Sequence, residues 1–228
     1  MVALFVIGTI ITCVLIEYVR GRTKQHALAL QPVQAHNGQP DRFLLPRGYF
    51  LSKCHAWAEL LFSGNVRVGA DDFAQKLVGT IDAVAVAPLG SEIKKGESLF
   101  AIRQGHRTLS FPSPFSGKIS KINSQLLDSP SLLKEAPYFD GWIAVIEPTN
   151  FSSELKFLAI AEDAAKWLRT EVSRFRNFLN NERTAGAAIP AGATLLDGGI
   201  PMNGVLQTTS DTTWKEFEQE FLQSSKNN

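Results

Sequence analysis

The chain has 228 residues, room for one large domain or two small ones, and 44% of them are hydrophobic, enough for a packed core. Its 23 basic and 22 acidic residues leave a net charge of +1, and the one basic cluster follows an apolar segment near the N-terminus, so no nucleic-acid footprint is present. Two cysteines exclude a disulfide framework, and Cys13 and Cys54 fall in segments of such different character that they are not expected to pair.

Val2 to Ile16 carries no charge and is mostly Val, Leu, Ile, Phe and Ala. With the residues just after it, such a helix of about 16–18 residues spans roughly 24–27 Å, short for a hydrocarbon core of ~30 Å but within tolerance. A secretory signal would place basic residues before the run; here Arg20, Arg22 and Lys24 follow it. Residues 1–22 therefore read as a single-pass membrane anchor, and the positive-inside bias puts the rest of the chain in the cytoplasm. Residues 23–46 have no sustained periodicity, and Gln, His, Asn, Pro and Gly dominate from Gln31 to Pro40, as expected of a flexible tether.

Residues 47–150 carry short β-competent segments separated by Gly and Pro: Asn65 to Gly69, Thr80 to Ala87, Ser98 to Ile102, Thr108 to Phe111, Lys118 to Ile122 and Trp142 to Glu147. A helical turn from Asp71 to Leu77 interrupts them, with Asp71 or Asp72 able to cap it. Residues 151–228 read as a helical extension. Leu158, Ala161, Ala165, Leu168, Val172, Phe175 and Leu179 form one apolar stripe along a helix expected over Ser152 to Asn181. A last short helix is expected from Thr213, with Thr213 and Glu216 at capping-box spacing and Trp214, Phe217, Phe221 and Leu222 on its apolar face.

The stretch Ser98 to Gly117 organises the rest. Two apolar arms flank a polar centre containing Gly105, which is a hairpin pattern, and Pro112, Pro114 and Gly117 end the second arm. Around it the motifs accumulate: His55-Ala56-Trp57, Val68 to Gln75 (VGADDFAQ), Gly90 to Ser98 (GSEIKKGES), Pro114-Phe115-Ser116-Gly117, and Pro137 to Trp142 (PYFDGW). In this order and spacing they resemble the H protein of the glycine cleavage system, within the biotinyl/lipoyl-domain superfamily. The resemblance runs from about His55 to Asn150. It implies a mainly β fold, a lipoyl-type barrel-sandwich hybrid, here joined to an N-terminal transmembrane helix and C-terminal helices.

The resemblance also implies a lysine at the hairpin tip that carries lipoate in amide linkage. Counting back from Pro114, that position is His106, and no lysine occurs between Gly96 and Gly117. Neither imidazole nor guanidinium supplies the primary amine such a linkage needs. No cofactor is expected. The tip residues Gln104, Gly105, His106 and Arg107 become candidates for binding a protein partner, against the alternative that they are solvated turn residues. Cys54-His55 lacks the further ligands of a metal site, and adjacent strand residues would point to opposite faces. Asp71-Asp72 reads as a helix cap, and Asp197-Gly198-Gly199 as a tight turn without the flanking elements of a phosphate loop. No catalytic constellation stands out. The expected role is a membrane-tethered, non-catalytic accessory or docking subunit. Two alternatives remain: a genuine H-protein-type carrier, and a lipoyl-hairpin adaptor of an export system, for which the long inserted coiled coil is missing.

Overall fold

The computed structural model describes residues 43–184 and 203–223. Among the described residues ten strands form, where apolar side chains alternate or where short segments reach an open sheet edge. They are β1 (Phe50–Leu51), β2 (Ala56–Leu60), β3 (Val66–Ala70), β4 (Ala83–Val86), β5 (Glu92–Ile93), β6 (Ser98–Gln104), β7 (Arg107–Pro112), β8 (Gly117–Ile122), β9 (Ala144–Pro148) and β10 (Ala159–Ile160). Seven make one antiparallel sheet in the order β10-β1-β2-β3-β9-β8-β5, and three make a second in the order β4-β6-β7. The mainly β architecture expected from the sequence is present.

The two sheets face each other across one apolar core. Ala58, Val66, Val68 and Ile146 come from the first, and Phe100, Ile102, Leu109 and Phe111 from the second. Each fully buried aliphatic or aromatic side chain contributes roughly 1.5–3 kcal/mol. Helix α1 (Asp72–Val78) closes one end, and Asp71 is its cap, with Oδ1 accepting from Ala74 N at 2.8 Å. Short helices α2 (Ser124–Asp128) and α3 (Leu132–Glu135) cross between β8 and β9. A smaller cluster behind β2 is built on Trp57, Tyr49 and Tyr138, where Trp57 Nε1 donates to Pro137 O at 3.0 Å. Its indole lies so close to β3 that a Cβ on Gly69 would sit 2.6 Å from the ring. Only glycine fits there.

The helix expected from Ser152 begins later. Helix α4 (Phe151–Glu154) gives way to a 3₁₀ turn, Leu155–Phe157, and then to β10. The physical reason is the open edge of β1: Ala159 and Ile160 pair with Leu51 and Phe50 instead of continuing a helix. Ala161 then turns through φ +52° into the long helix α5 (Ala161–Thr184), so Leu158 is not part of its stripe.

The described parts of the C-terminal extension share the main core. Phe175, Phe178 and Leu179 of α5 join Val205, Leu206, Trp214, Phe217, Phe221 and Leu222 in the cluster that holds Phe73 and Phe111. The last helix, α6 (Asp211–Phe217), starts two residues before the expected Thr213 because Ser210 caps it, its Oγ accepting from Thr213 N at 3.1 Å. Thr213 Oγ1 instead donates to Glu182 Oε2 of α5 at 2.7 Å. A turn of π-helix, Glu218–Leu222, follows. The tail is anchored at its start too: Gly204 N donates to Lys76 O at 2.7 Å, and a Cβ on Gly79 would meet Gly204 Cα at 2.7 Å. The expected membrane anchor and Asp197-Gly198-Gly199 lie outside the described residues. Among the described residues no helix is long and apolar enough to cross a membrane.

Candidate functional site

The hairpin β6–β7 pairs Arg103 with Thr108 and Gln104 with Arg107, leaving Gly105-His106 as a two-residue turn. Gly105 has φ +58° and comes first, the arrangement of a type II′ turn that suits the twist of the arms. Asp82 pins it from below, accepting from Gly105 N at 2.6 Å while its own N–H donates to Arg103 O at 2.9 Å. The four tip residues then divide by role. Gln104 faces inward, its Nε2 donating to Val78 O at 2.9 Å and Thr80 O at 2.7 Å, so it satisfies carbonyls after α1. Gly105 and His106 face solvent, with the His106 side chain 76% exposed.

Arg107 and His106 both turn to the tail. Asp211, the first residue of α6, receives His106 Nε2 at 3.0 Å on one oxygen and Arg107 Nε at 2.6 Å on the other. The hydrogen bond from His106, then that from Arg107, holds the Asp211 carboxyl below its ordinary pKa. The Arg107 guanidinium stands 5.5 Å from the Trp214 ring. Along the outer edge of β7, Trp214 Nε1 donates to Thr108 O at 3.1 Å and Ser110 N donates to Glu218 Oε1 at 2.8 Å. An edge strand offers unpaired N–H and C=O groups to any passing strand. Here the tail takes them. With Trp214, Phe217, Phe221 and Leu222 at 2% exposure or less, this cover is part of the core.

The tip itself carries no lysine. Lys118 stands on β8 opposite Glu92 and Glu147, and Lys95 precedes Gly96 in another turn with its ammonium over the Phe157 ring. The residues present do not fit a lipoyl group at the hairpin, because an amide needs a primary amine there and His106 has only ring nitrogens.

A second polar constellation escaped the sequence reading. Cys54 and His55 lie in the turn before β2, not in a strand, and His55 adopts φ +58°. Its ring is fully buried, stacked on Phe73 at 4.6 Å and 5.1 Å from Trp167. Nδ1 lies 2.8 Å from Asp71 Oδ2, and Nε2 lies 3.5 Å from Glu171 Oε2, a charge contact rather than an aligned hydrogen bond. Arg174 reaches the same Glu171 oxygen at 3.0 Å. Burial alone would lower the imidazole's pKa; the charge and hydrogen bond of Asp71, with the charge of Glu171, outweigh it and raise it from 6.5 to about 9. His55 is thus clamped between the cap of α1 and the middle of α5, with two carboxylates favouring its charged form. The visible signal was Glu171, a carboxylate on the apolar stripe between Leu168 and Phe175. Enclosed in the core, this constellation is structural. Among the described residues no group of His, Cys, Asp or Glu side chains is placed to hold a metal ion.

Two antiparallel sheets, a projecting hairpin and the closing helices define a lipoyl-domain protein. Residues 49–171 match the family model described as glycine cleavage H-protein. Over 128 residues the chain is 38% identical to a probable glycine cleavage system H protein of Thermococcus kodakarensis, covering 56% of this chain and 95% of that relative. Over 105 residues it is 40% identical to the glycine cleavage system H protein of Coprothermobacter proteolyticus, covering 46% of this chain and 83% of that relative. A crystal structure of a glycine cleavage system H protein from Mycobacterium marinum is similar with a TM-score of 0.47 and 23% identity, over 56% of this chain and 98% of that one. The chain belongs to the glycine cleavage H-protein family.

Proposed function

We propose that this chain is a non-lipoylated member of its family that works as a docking or accessory subunit, tethered to the membrane by residues 1–22 with its folded part in the cytoplasm. One observation carries the reading. The tip position where the family's carrier lysine is expected holds His106, and its imidazole is paired with Asp211 of the chain's own tail. A swinging arm has no attachment point there, while a rigid, pinned turn with exposed Gly105 and His106 suits contact with a protein surface. The partners that family membership suggests are enzymes of glycine cleavage or a related complex. The reading involves no metal, no cofactor and no catalysis by this chain.

The test is intact mass after expression with lipoate ligase and lipoate. The wild-type chain is expected to keep its unmodified mass, and His106→Lys with Asp211→Ala is expected to gain one lipoyl group. A lipoyl adduct on any lysine of the wild-type chain would overturn the reading and establish the carrier alternative.

A further inference from the structure

Away from the hairpin tip, the turn before β2, the turn before β6, the end of β7 and the 3₁₀ turn after α4 enclose a cavity of about 640 Å³. That volume suits a small-molecule ligand. Three lysines line it, Lys53, Lys95 and Lys156, each from a different turn, and Pro112, Phe157 and Leu158 supply an apolar wall. Among the described residues none of the three ammonium groups has a carboxylate within 4 Å. The nearest candidate, Glu154, is committed elsewhere: its two oxygens accept from Ser116 N at 2.8 Å and Ser116 Oγ at 2.6 Å. The same Ser116 Oγ accepts from Lys95 N at 2.9 Å, which fixes the backbone from which Lys95 projects.

The Lys95 ammonium sits 3.4 Å from the centre of the Phe157 ring, and burial lowers its pKa. Phe157 is 64% exposed at the cavity wall, so beyond the Lys95 contact its ring still offers apolar surface to a ligand. The charge of Glu154 acts on Lys95 through space, but among the described residues the lining itself carries three lysines and no Asp or Glu, so an anion in the hollow is favoured. Lysines act as point charges around a tetrahedral anion, whereas a planar carboxylate is better matched by an arginine fork, and among the described residues no arginine lines the cavity.

We propose that this cavity binds a phosphate monoester with an apolar body, its phosphate among Lys53, Lys95 and Lys156 and its body against Phe157, Leu158 and Pro112. A phosphate monoester carries about −1.5 to −2 at neutral pH, which a cluster of three cations neutralises. The ester could be a soluble metabolite or a lipid head group, and the chemistry recognised is the same. The site is independent of the docking role, because it does not include the hairpin tip.

Phenyl phosphate is the probe, titrated calorimetrically into the full chain in phosphatidylcholine vesicles. It is expected to bind more tightly than inorganic phosphate, and benzyl alcohol is expected not to bind. Lys95→Gln with Lys156→Gln should weaken phenyl phosphate by about tenfold or more, the scale of two charge-assisted contacts. Lys134→Gln on α3 should leave its affinity unchanged. Competition by phosphatidic acid placed in the vesicles, lost in the double variant, would assign the head group to a lipid; its absence would assign a soluble ester. Absence of phenyl phosphate binding, equal binding of benzyl alcohol, or full affinity in a folded double variant would each overturn the proposal.

Discussion

Replacing Phe221 by Ala asks whether the C-terminal tail belongs to the same cooperative unit as the β domain. Its ring has no exposed surface and packs on Phe175 at 5.7 Å, Phe178 at 5.6 Å and Phe217 at 4.9 Å. The Arg174 guanidinium lies 4.1 Å from its centre. Phe→Ala changes in cores cost about 3–5 kcal/mol, and aromatic pairs are worth about 0.5–1.5 kcal/mol beyond area. Three ring contacts and a cation over the face put this site in the upper part of that range, about 4–5 kcal/mol. For a domain of this size each kcal/mol shifts Tm by about 2–4 °C, so the midpoint should fall by roughly 8–20 °C. A thermal melt reads that shift, and urea unfolding followed by tryptophan fluorescence reads the free-energy loss, with Phe157→Ala as the matched control, expected to stay within about 0.5 kcal/mol. A loss below about 1 kcal/mol at Phe221 with an unchanged m-value would refute the packing of the tail on the hairpin.

Three further outcomes are expected. Gly69→Ala should destabilise strongly, by about 1–3 kcal/mol from overpacking, because the new methyl meets the Trp57 indole at 2.6 Å; a neutral change in a urea melt would contradict that contact. Gln104→Ala should cost about 1–3 kcal/mol by leaving Val78 O and Thr80 O without their donor, and a melt indistinguishable from wild type would contradict its inward placement. His55 has a folded pKa raised from 6.5 to about 9, so its contribution to stability is fully present below pH 6.5 and is lost as pH rises through 9. That contribution is on the order of 3 kcal/mol, and His55→Asn, which tolerates the positive φ, should flatten the stability profile over this window. A wild-type profile that is flat or rises between pH 6.5 and 9 would argue against a clamped imidazolium.

What the sequence determined by itself is what local chemistry can determine. The arms Ser98 to Ile102 and Thr108 to Phe111 alternate around a glycine, so the β6–β7 hairpin was legible, and Asp71 announced α1 because a cap acts within one turn. That no lysine lies between Gly96 and Gly117 needed only counting. Strands β1, β5 and β10 are two residues long and carry no periodicity; they exist because a neighbouring edge accepts them, and β10 took the start of the expected long helix for that reason. Likewise Thr213 looked like a cap until Ser210 claimed the position and Glu182 took the Thr213 hydroxyl. The tertiary structure alone decided the surroundings of the tip. Asp211 meets Arg107 across 104 residues of chain, and His55 meets Glu171 only because α5 folds back over the β domain. Contacts between groups so far apart in sequence follow from the shape of the core that brings them together, and no local pattern encodes them.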